Sequence, residues 1–199
     1  SFGTEAEFRD AAGVFSGATT FDSNSNKIVI AFDDQDDGNK GMGIVGTISG
    51  TSISFGSATT FNSGSTKDIA ATFDTTNNKV VIVYQDDGNS DYGTAVVGTV
   101  SGTSISFGSE VVFNSATTGE MSQIIFHSGH GVLIGFAANG DGKAIYGTVS
   151  GTSISFDTAT TFGDADGYEG IIIAHDSENG YIIVIYEDNQ DTIVGNNMQ

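Results

Sequence analysis

The stretch GTVSGTSISF, Gly98–Phe107, decides the fold because it recurs along the chain. It reads GTISGTSISF at Gly46–Phe55 and GTVSGTSISF again at Gly147–Phe156. The opening SFGTEAEF, which begins at Ser1, preserves the end of the same phrase. The phenylalanines that end the four copies are 53, 52 and 49 residues apart. A nearly constant period indicates a repeat architecture in which each copy is one structural unit.

A second marker has the same period. Apolar runs that end in an aromatic residue recur as IVIAF, VVIVY, VLIGF and IIVIY, and they end at Phe32, Tyr84, Phe136 and Tyr186. The spacings of these four residues are 52, 52 and 50. Because they close apolar runs, we expect the four aromatic side chains to lie in the core. Two markers with one period indicate four tandem copies of the same unit.

The second copy shows what each unit contains, since turn residues separate four segments. These are Ile69–Asp74, Val80–Gln85, Gly93–Ser101 and Ser104–Phe113, named strands a, b, c and d in that order. Strand b is apolar on both faces, which predicts burial between neighbouring sheets, whereas strand d alternates like a half-exposed strand. A four-stranded unit with this period is typical of a propeller blade, so we predict an all-β, four-bladed β-propeller. A stacked β-repeat array and a two-sheet sandwich are the alternatives.

The repeat register makes residues 1–199 one domain, with blades at 9–61, 62–113, 114–162 and 163–199. The last copy stops inside strand c, because Ile193–Gly195 matches Val96–Gly98. Its strand d has a counterpart at the other end of the sequence, in Ser1–Phe8. We therefore expect residues 1–8 to close the ring as the outer strand of the last blade, which would remove an open sheet edge. A fragment of a longer array is the alternative.

Composition and charge exclude several functions. The chain has no cysteine, which excludes a disulfide scaffold and cysteine-based zinc sites. Its net charge of −19 would repel nucleic acid and anionic membranes, so neither nucleic-acid binding nor membrane insertion is expected. No nucleophile elbow or phosphate loop occurs, and the loops stay short, so we do not expect an enzyme. The charge indicates either a solvated surface or the binding of a cation or polar ligand.

The b–c connections are the most acidic segments, and in a propeller they emerge on the same face as the d–a connections. Sugar binding needs carboxylates and amides for the hydroxyl groups and an aromatic ring for stacking, for which Tyr92 is the best candidate. The alternative is ordinary Asp-Gly and Asp-Asn turn chemistry on a solvated rim. The candidate ligand-binding residues are Asp33, Asp36, Asp37, Asp86, Asp87, Asn89, Tyr92, Asp141, Glu187 and Asp188.

Two metal sites are weakly indicated. Asp33, Gln35 and Asp37 approximate the oxygen spacing of a calcium loop, but Val83 and Ala137 take the place of Asp33 in the next copies. The pair His127 and His130, spaced H-x-x-H, would supply only two ligands from one turn, and His175 replaces a phenylalanine of the other copies, as a core variant would. We therefore predict no cofactor, with a calcium ion as the alternative.

The repeat resembles a known group of proteins. The phrases at Val97–Gly108 and Val80–Ser90 are similar to tandem repeats in predicted structural proteins of marine tailed bacteriophages, and the similarity extends over all four units. That resemblance implies a fibre, appendage or decoration component, placed at the virion surface or outside the cell. Its partners would be other virion or surface proteins, a second copy of the chain, or cell-surface glycans. A soluble, multivalent, lectin-like propeller is the alternative.

Overall fold

A computed structural model describes residues 3–9, 13–14, 16–164, 171–176, 178–187 and 193–198. Two 3-10 turns, Gln35–Asp37 and Asp87–Asn89, are the helical segments of this part of the chain, and everything else that is regular is β-strand. The described helical segments are too short and too polar to cross a membrane.

The all-β prediction is confirmed. The strands are β1 (Gly17–Asp22), β2 (Lys27–Asp34), β3 (Lys40–Ser49), β4 (Ser52–Phe55), β5 (Thr59–Asp74), β6 (Lys79–Asp86), β7 (Tyr92–Ser101), β8 (Ser104–Phe107), β9 (Val111–His127), β10 (Gly131–Ala138), β11 (Asp141–Ser150), β12 (Ser153–Phe156), β13 (Thr160–Asp164), β14 (Ile172–Asp176), β15 (Tyr181–Glu187) and β16 (Ile193–Met198).

The strands pair antiparallel throughout and repeat as four units. Unit 1 contains β1 to β4, and unit 4 contains β14 to β16. Unit 2 contains the second half of β5 with β6, β7 and β8, and unit 3 contains the second half of β9 with β10, β11 and β12. The first halves of β5 and β9 pair with the preceding unit, so each long strand connects two units. The expected boundaries at 61/62 and 113/114 fall inside these strands.

Strand d differs from the prediction, which made Ser104–Phe113 one continuous strand. In the structure β8 ends at Phe107 and pairing resumes at Val111 in β9, although both segments pair with β7. Gly98 faces Phe107 and Ala95 faces Val111, so the outer strand contains one residue more than its partner. This is a β-bulge. Strands a, b and c lie where the period places them.

The core lies between the units. Strand β6 is buried on both faces, since Val80, Val81, Ile82, Val83 and Tyr84 are at most 1% exposed, as the apolar run predicts. The four aromatic residues that end strand b are also buried, and their core role is confirmed. Burial of such side chains from both sheets is the main stabilising contribution to the stacking of units.

A repeated aromatic contact joins each unit to the next. Phe61, at the end of one unit, lies 5.2 Å from the ring of Tyr84 and 5.6 Å from that of Phe107. Phe113 repeats this arrangement at 5.2 Å from Phe136 and 5.6 Å from Phe156. Edge-to-face and tilted pairs at these separations are favourable beyond their buried area. The interface between units is therefore the same structure used repeatedly.

The N-terminal segment makes the same contacts on unit 1. Phe8 lies 5.3 Å from Phe32 and 5.8 Å from Phe55, as the aromatic residues of the other junctions do. However, residues 3–9 form no strand, and the sheet of unit 4 consists of β14, β15 and β16. Ser1 and Phe2 lie outside the described residues. Closure of the ring by residues 1–8 therefore stays a prediction.

Candidate binding edge between the units

The b–c loop of each of the first two units is hydrogen-bonded to the segment that crosses to the next unit. Asn39 ends the first loop, and its carbonyl accepts the N–H of Thr66 at 2.8 Å. Asp91 ends the second, and its carbonyl accepts the N–H of Thr118 at 2.8 Å. The prediction that b–c and d–a connections share one end of the molecule is thus confirmed for these units.

An asparagine and a threonine shape each crossing segment. The side-chain amide of Asn62 donates to Oγ1 of Thr66 at 3.0 Å, and that of Asn114 donates to Oγ1 of Thr118 at 2.7 Å. Both threonines are at most 1% exposed. Sequence reasoning missed these residues, although the pattern Asn-Ser-x-x-Thr follows both Phe61 and Phe113 and could have identified them.

Two of the predicted ligand residues are buried and already have hydrogen-bond partners. Asp33 is 2% exposed and accepts the N–H of Ser16 at 2.8 Å. Asp86 is 7% exposed, and one of its oxygens accepts the amide of Asn62 at 3.3 Å. Hydrogen bonds of this kind stabilise a buried carboxylate. These two aspartates therefore have a structural role, whatever else they bind.

The other candidate residues of these two loops are exposed or half-buried. Asp36, Asp37 and Asn89 are exposed on the 3-10 turns of the two b–c loops, and Asp37 pairs with Lys40 at 2.8 Å. Tyr92 is half-buried at the start of β7, where its stacking role stays a prediction.

Charged groups concentrate on the second loop. Asp87 accepts hydrogen bonds from Lys67 at 2.8 Å and from Ser65 at 2.9 Å, which lower the pKa of its carboxyl group. The same contact raises the pKa of Lys67. Burial, together with the neighbouring Asp87, raises the pKa of Asp91. The site therefore offers an ammonium group and carboxylates within one small region.

The third and fourth loops depart from the expected set of four equivalent acidic loops. In unit 3 the connection is the two-residue turn Asn139-Gly140, because Ala138 pairs directly with Asp141. Asp141 thus starts β11, and its carboxylate pairs with Lys143 at 3.1 Å. In unit 4 the described backbone includes Glu187, whereas Asp188 lies outside the described residues.

The candidate calcium ligands Asp33 and Asp37 lie in different environments. Asp33 is buried against Ser16 while Asp37 is exposed and paired with Lys40. Within the described part of the chain, no three histidine or acidic side chains form a group that could hold a metal ion. The register also corrects one alignment: Gln85, and not Val83, takes the place of Asp33 in unit 2, since Gln85 follows Tyr84 as Asp33 follows Phe32.

A cleft of about 240 Å³ lies at this edge, between units 1 and 2. All of its lining side chains are polar, and they include hydroxyl, amide, carboxylate and ammonium groups. Of this set, Asn39, Lys67 and Asp68 are at least partly exposed, and their side chains can both donate to and accept from the hydroxyl groups of a ligand. The lining residues are Ser16, Asp33, Asn39, Thr66, Lys67 and Asp68.

Three histidines meet at the opposite edge, between units 3 and 4. The ring of His127 lies 4.1 Å from that of His175 and 4.7 Å from that of His130. Asp74 accepts N–H groups of its a–b turn, whereas unit 3 has His127 at this position, with a buried Nδ1 that lacks a hydrogen bond. Burial and the two neighbouring imidazoles lower the pKa of His127. The sequence showed the first pair, but only packing adds His175.

A second cleft, of about 210 Å³, lies at that opposite edge between units 2 and 3, where Asn77 and His130 contribute to the lining. It is bordered by backbone turns and by the apolar residues Phe126 and Val149 as well as by polar groups. It offers fewer charged groups than the cleft between units 1 and 2.

Comparisons with known proteins concern the fold. No protein-family model matches the sequence, and no curated protein does so. Among solved structures, the chain is similar to a mutant of the Aleuria aurantia lectin in complex with alpha-methyl-L-fucoside, with a TM-score of 0.57 and 15% identity over 91% of this chain and 56% of the lectin. The same lectin in complex with Fucalpha1-6GlcNAc gives a TM-score of 0.56 at 14% identity, over 91% of this chain and 57% of the lectin.

Sqt1 of Chaetomium thermophilum is also similar, with a TM-score of 0.56 and 16% identity over 88% of this chain and 42% of that one. The chain thus spans about half the length of these proteins. At such identities the likeness concerns the fold alone. The fold shared with these solved structures is the all-β architecture of antiparallel sheets described above.

Proposed function

We propose that the protein is a carbohydrate-binding module of the β-propeller type. The observation that carries this proposal is the polar cleft between units 1 and 2, on a fold similar to that of a lectin solved with fucosides. In this proposal the four repeat units are the blades, and closure of the ring by residues 1–8 of the same chain is the alternative to the assembly of two copies argued below.

The cleft has the chemistry that sugar recognition requires. Asp68 borders it as a half-buried carboxylate, and the Lys67 side chain is 52% exposed with its ammonium group held by Asp87. Carboxylates accept hydrogen bonds from sugar hydroxyls, and the ammonium group donates to the sugar oxygens. A volume of about 240 Å³ lies below the range of roughly 300–1,000 Å³ that is usual for drug-sized ligands. The site would therefore take one terminal sugar residue of a glycan.

Repetition is the second supporting feature. The crossing segments after Phe61 and Phe113 share their hydrogen bonds, so related clefts could form at more than one junction. Several weak sites on one particle, or on several copies of a chain, give high avidity when the glycans are clustered. The variable residues of the b–c loops would then set the preference of each site.

The proposal is tested with a glycan array, with and without calcium, followed by titration of the sugars that bind. Asp68→Asn should reduce affinity about tenfold, because a charged acceptor is lost; asparagine tolerates the φ of +48° found at this position. Asp157→Asn is the matched control, since it removes the same charge from an exposed position just after β12, outside the b–c loops and the cleft. Equal losses in both variants, or no binding on the array, would overturn the proposal.

A further variant tests which of the two clefts binds the sugar. His130→Ala changes the lining of the cleft between units 2 and 3 and leaves the polar cleft intact. We expect unchanged sugar affinity in this variant. A loss confined to His130→Ala would place the sugar at the opposite edge and contradict the site proposed above.

The resemblance of the repeat to phage structural proteins supports a second proposal, which is that the module is displayed on a virion. Antibody labelling of purified particles tests it. Signal on the particles is expected, and labelling of host cells alone would contradict it.

A further inference from the structure

The outer face of unit 4 is apolar and exposed. Ile172, Ile183 and Ile185 are 53%, 44% and 39% exposed, and they are named the fourth-unit face. Ile172 lies directly opposite Ile185 in the pairing of β14 with β15, so these side chains adjoin on one side of the sheet. The other side of the same sheet, which includes Ile173 and Val184, is buried against unit 3.

The equivalent positions inside the array are covered. Ile183 corresponds to Leu133 in unit 3, because Tyr186 and Phe136 end strand b in the two units. Leu133 is 0% exposed and packs in a cluster with residues of unit 4. A following unit is therefore what covers this kind of face in the rest of the molecule.

Unit 1 also exposes apolar side chains, on the side that a preceding unit would cover. Phe21 is 49% exposed, and it adjoins the half-buried Ile28 and Ile30 on β2; these three residues are named the first-unit face. Their counterparts in unit 2 are Phe73, Val80 and Ile82, which are 6%, 1% and 0% exposed. Unit 1 covers them. A preceding unit is thus what the first-unit face lacks.

The two ends also complement each other in strands. Unit 4 has β14, β15 and β16 without a described outer strand, whereas residues 3–9 lie on unit 1 as the outer strand of a preceding unit does. A Cβ at Gly3 would lie 1.7 Å from the carbonyl oxygen of Thr51, just as one at Gly56 would lie 1.9 Å from that of Thr103. Residues 3–9 therefore have the contacts of an outer strand but no sheet of their own.

We propose that the fourth-unit face of one chain binds the first-unit face of a second copy, head to tail, with residues 3–9 of the second copy alongside β16 of the first. Three junctions within the chain already use this interface, so the contact between copies continues an existing one. Both faces are exposed in the same chain, so neither covers the other. Because the two faces differ, the contact is heterologous and leads to a closed ring if the rotation between copies permits it.

The experiment is sedimentation and light scattering of the purified 199-residue chain over a range of concentrations. We expect a mass of two or more chains. Ile183→Asp and Phe21→Asp each place a charge in one face at an already exposed position, so the fold should tolerate them. Each variant alone should have the mass of one chain. Val112→Asp is the control, since Val112 is 42% exposed on the part of β9 that pairs with β7 in unit 2, and so lies in neither terminal unit.

Mixing the two variants gives the decisive measurement. Ile183→Asp retains the first-unit face and Phe21→Asp retains the fourth-unit face, so the mixture should form a complex of one chain of each and stop there. A wild-type chain that stays monomeric at every concentration would overturn the proposal and favour closure within one chain. Loss of assembly in Val112→Asp, or no complex in the mixture, would also contradict it.

Discussion

The sharpest prediction concerns Gly56, where the backbones of two units approach each other closely. A Cβ built at Gly56 would lie 1.9 Å from the carbonyl oxygen of Thr103, and one at Gly108 would lie 1.8 Å from that of Thr152. Both oxygens belong to the backbone of the c–d turn in the next unit, so no side chain can rotate away. The third phrase has Asp157 at this position, with the same backbone hydrogen bond, to Tyr146 at 3.0 Å. Among the described residues, the unit after it contributes no c–d turn.

The expected cost follows from this geometry. Gly56→Ala forces the units apart by about 1.1 Å at this point merely to reach the 3.0 Å below which real Cβ contacts essentially never occur. Overpacking of a well-packed region costs about 1–3 kcal/mol, and a rigid backbone obstacle favours the upper end, about 3 kcal/mol. For a chain of this size such a loss lowers Tm by about 6–12 °C.

Circular dichroism and calorimetry on heating provide the measurement. Asp157→Ala is the matched control, because it changes the equivalent exposed position, and a shift below about 2 °C is expected. The reasoning is refuted if Gly56→Ala melts within 2 °C of the wild type, or if Asp157→Ala loses as much.

Three further predictions test the interfaces. Phe61→Ala removes a ring that is 6% exposed, so the free energy of unfolding measured in urea should fall by about 3–5 kcal/mol. Ile48→Ala changes an exposed position and is the control, with an expected loss of less than about 1 kcal/mol. Equal losses in the two variants would contradict the role of Phe61 in the interface. Arg9→Ala leaves the carboxylate of Asp34, which is 1% exposed, without its ion-pair partner. The free energy of unfolding should fall by about 2 kcal/mol in the same assay. In an Asp34→Ala background the same substitution should cause little further loss, because the pair is already broken. Burial and the neighbouring imidazoles of His175 and His130 lower the pKa of His127 in the folded chain. The unfolded chain therefore binds more protons than the folded chain near pH 6. The stability that depends on a neutral His127 is thus present above about pH 6.5 and is lost as the pH falls through the folded-state pKa. His127→Asn should therefore reduce the difference in Tm between pH 7.5 and 5.5, and an unchanged difference would exclude this histidine as its source.

Much of the fold could be predicted because two sequence markers, the GTVSGTSISF phrase and the apolar run of strand b, repeat with the same period. The positions of strands a, b and c follow from apolar periodicity, and the core role of Phe32 and Tyr84 follows from their place at the end of an apolar run. The bulge in strand d was not predictable in the same way. Phe107 and Val111 both suit a strand, and only the pairing of both with β7 shows that one residue between them is extra.

The sequence predicted which residue types the candidate site contains, but not which of its carboxylates are buried and which are exposed. Asp33 and Asp36 look alike in an acidic loop, yet Asp33 is buried and bonded to Ser16 while Asp36 is exposed. The residue that reaches Asp86 is Asn62, which belongs to the preceding crossing segment. A local pattern cannot assign such partners, because they come from a different unit.

The sequence by itself determined the repeating unit, its strands and the acidity of its loops, since these depend on neighbours within a few residues. The tertiary structure decided which carboxylates are buried, where the polar cleft lies and which apolar faces stay exposed. The physical reason is that burial depends on what the next unit places above a residue. Leu133 and Ile183 occupy equivalent strand positions, yet one is 0% and the other 44% exposed, because unit 4 covers the first and no described unit covers the second.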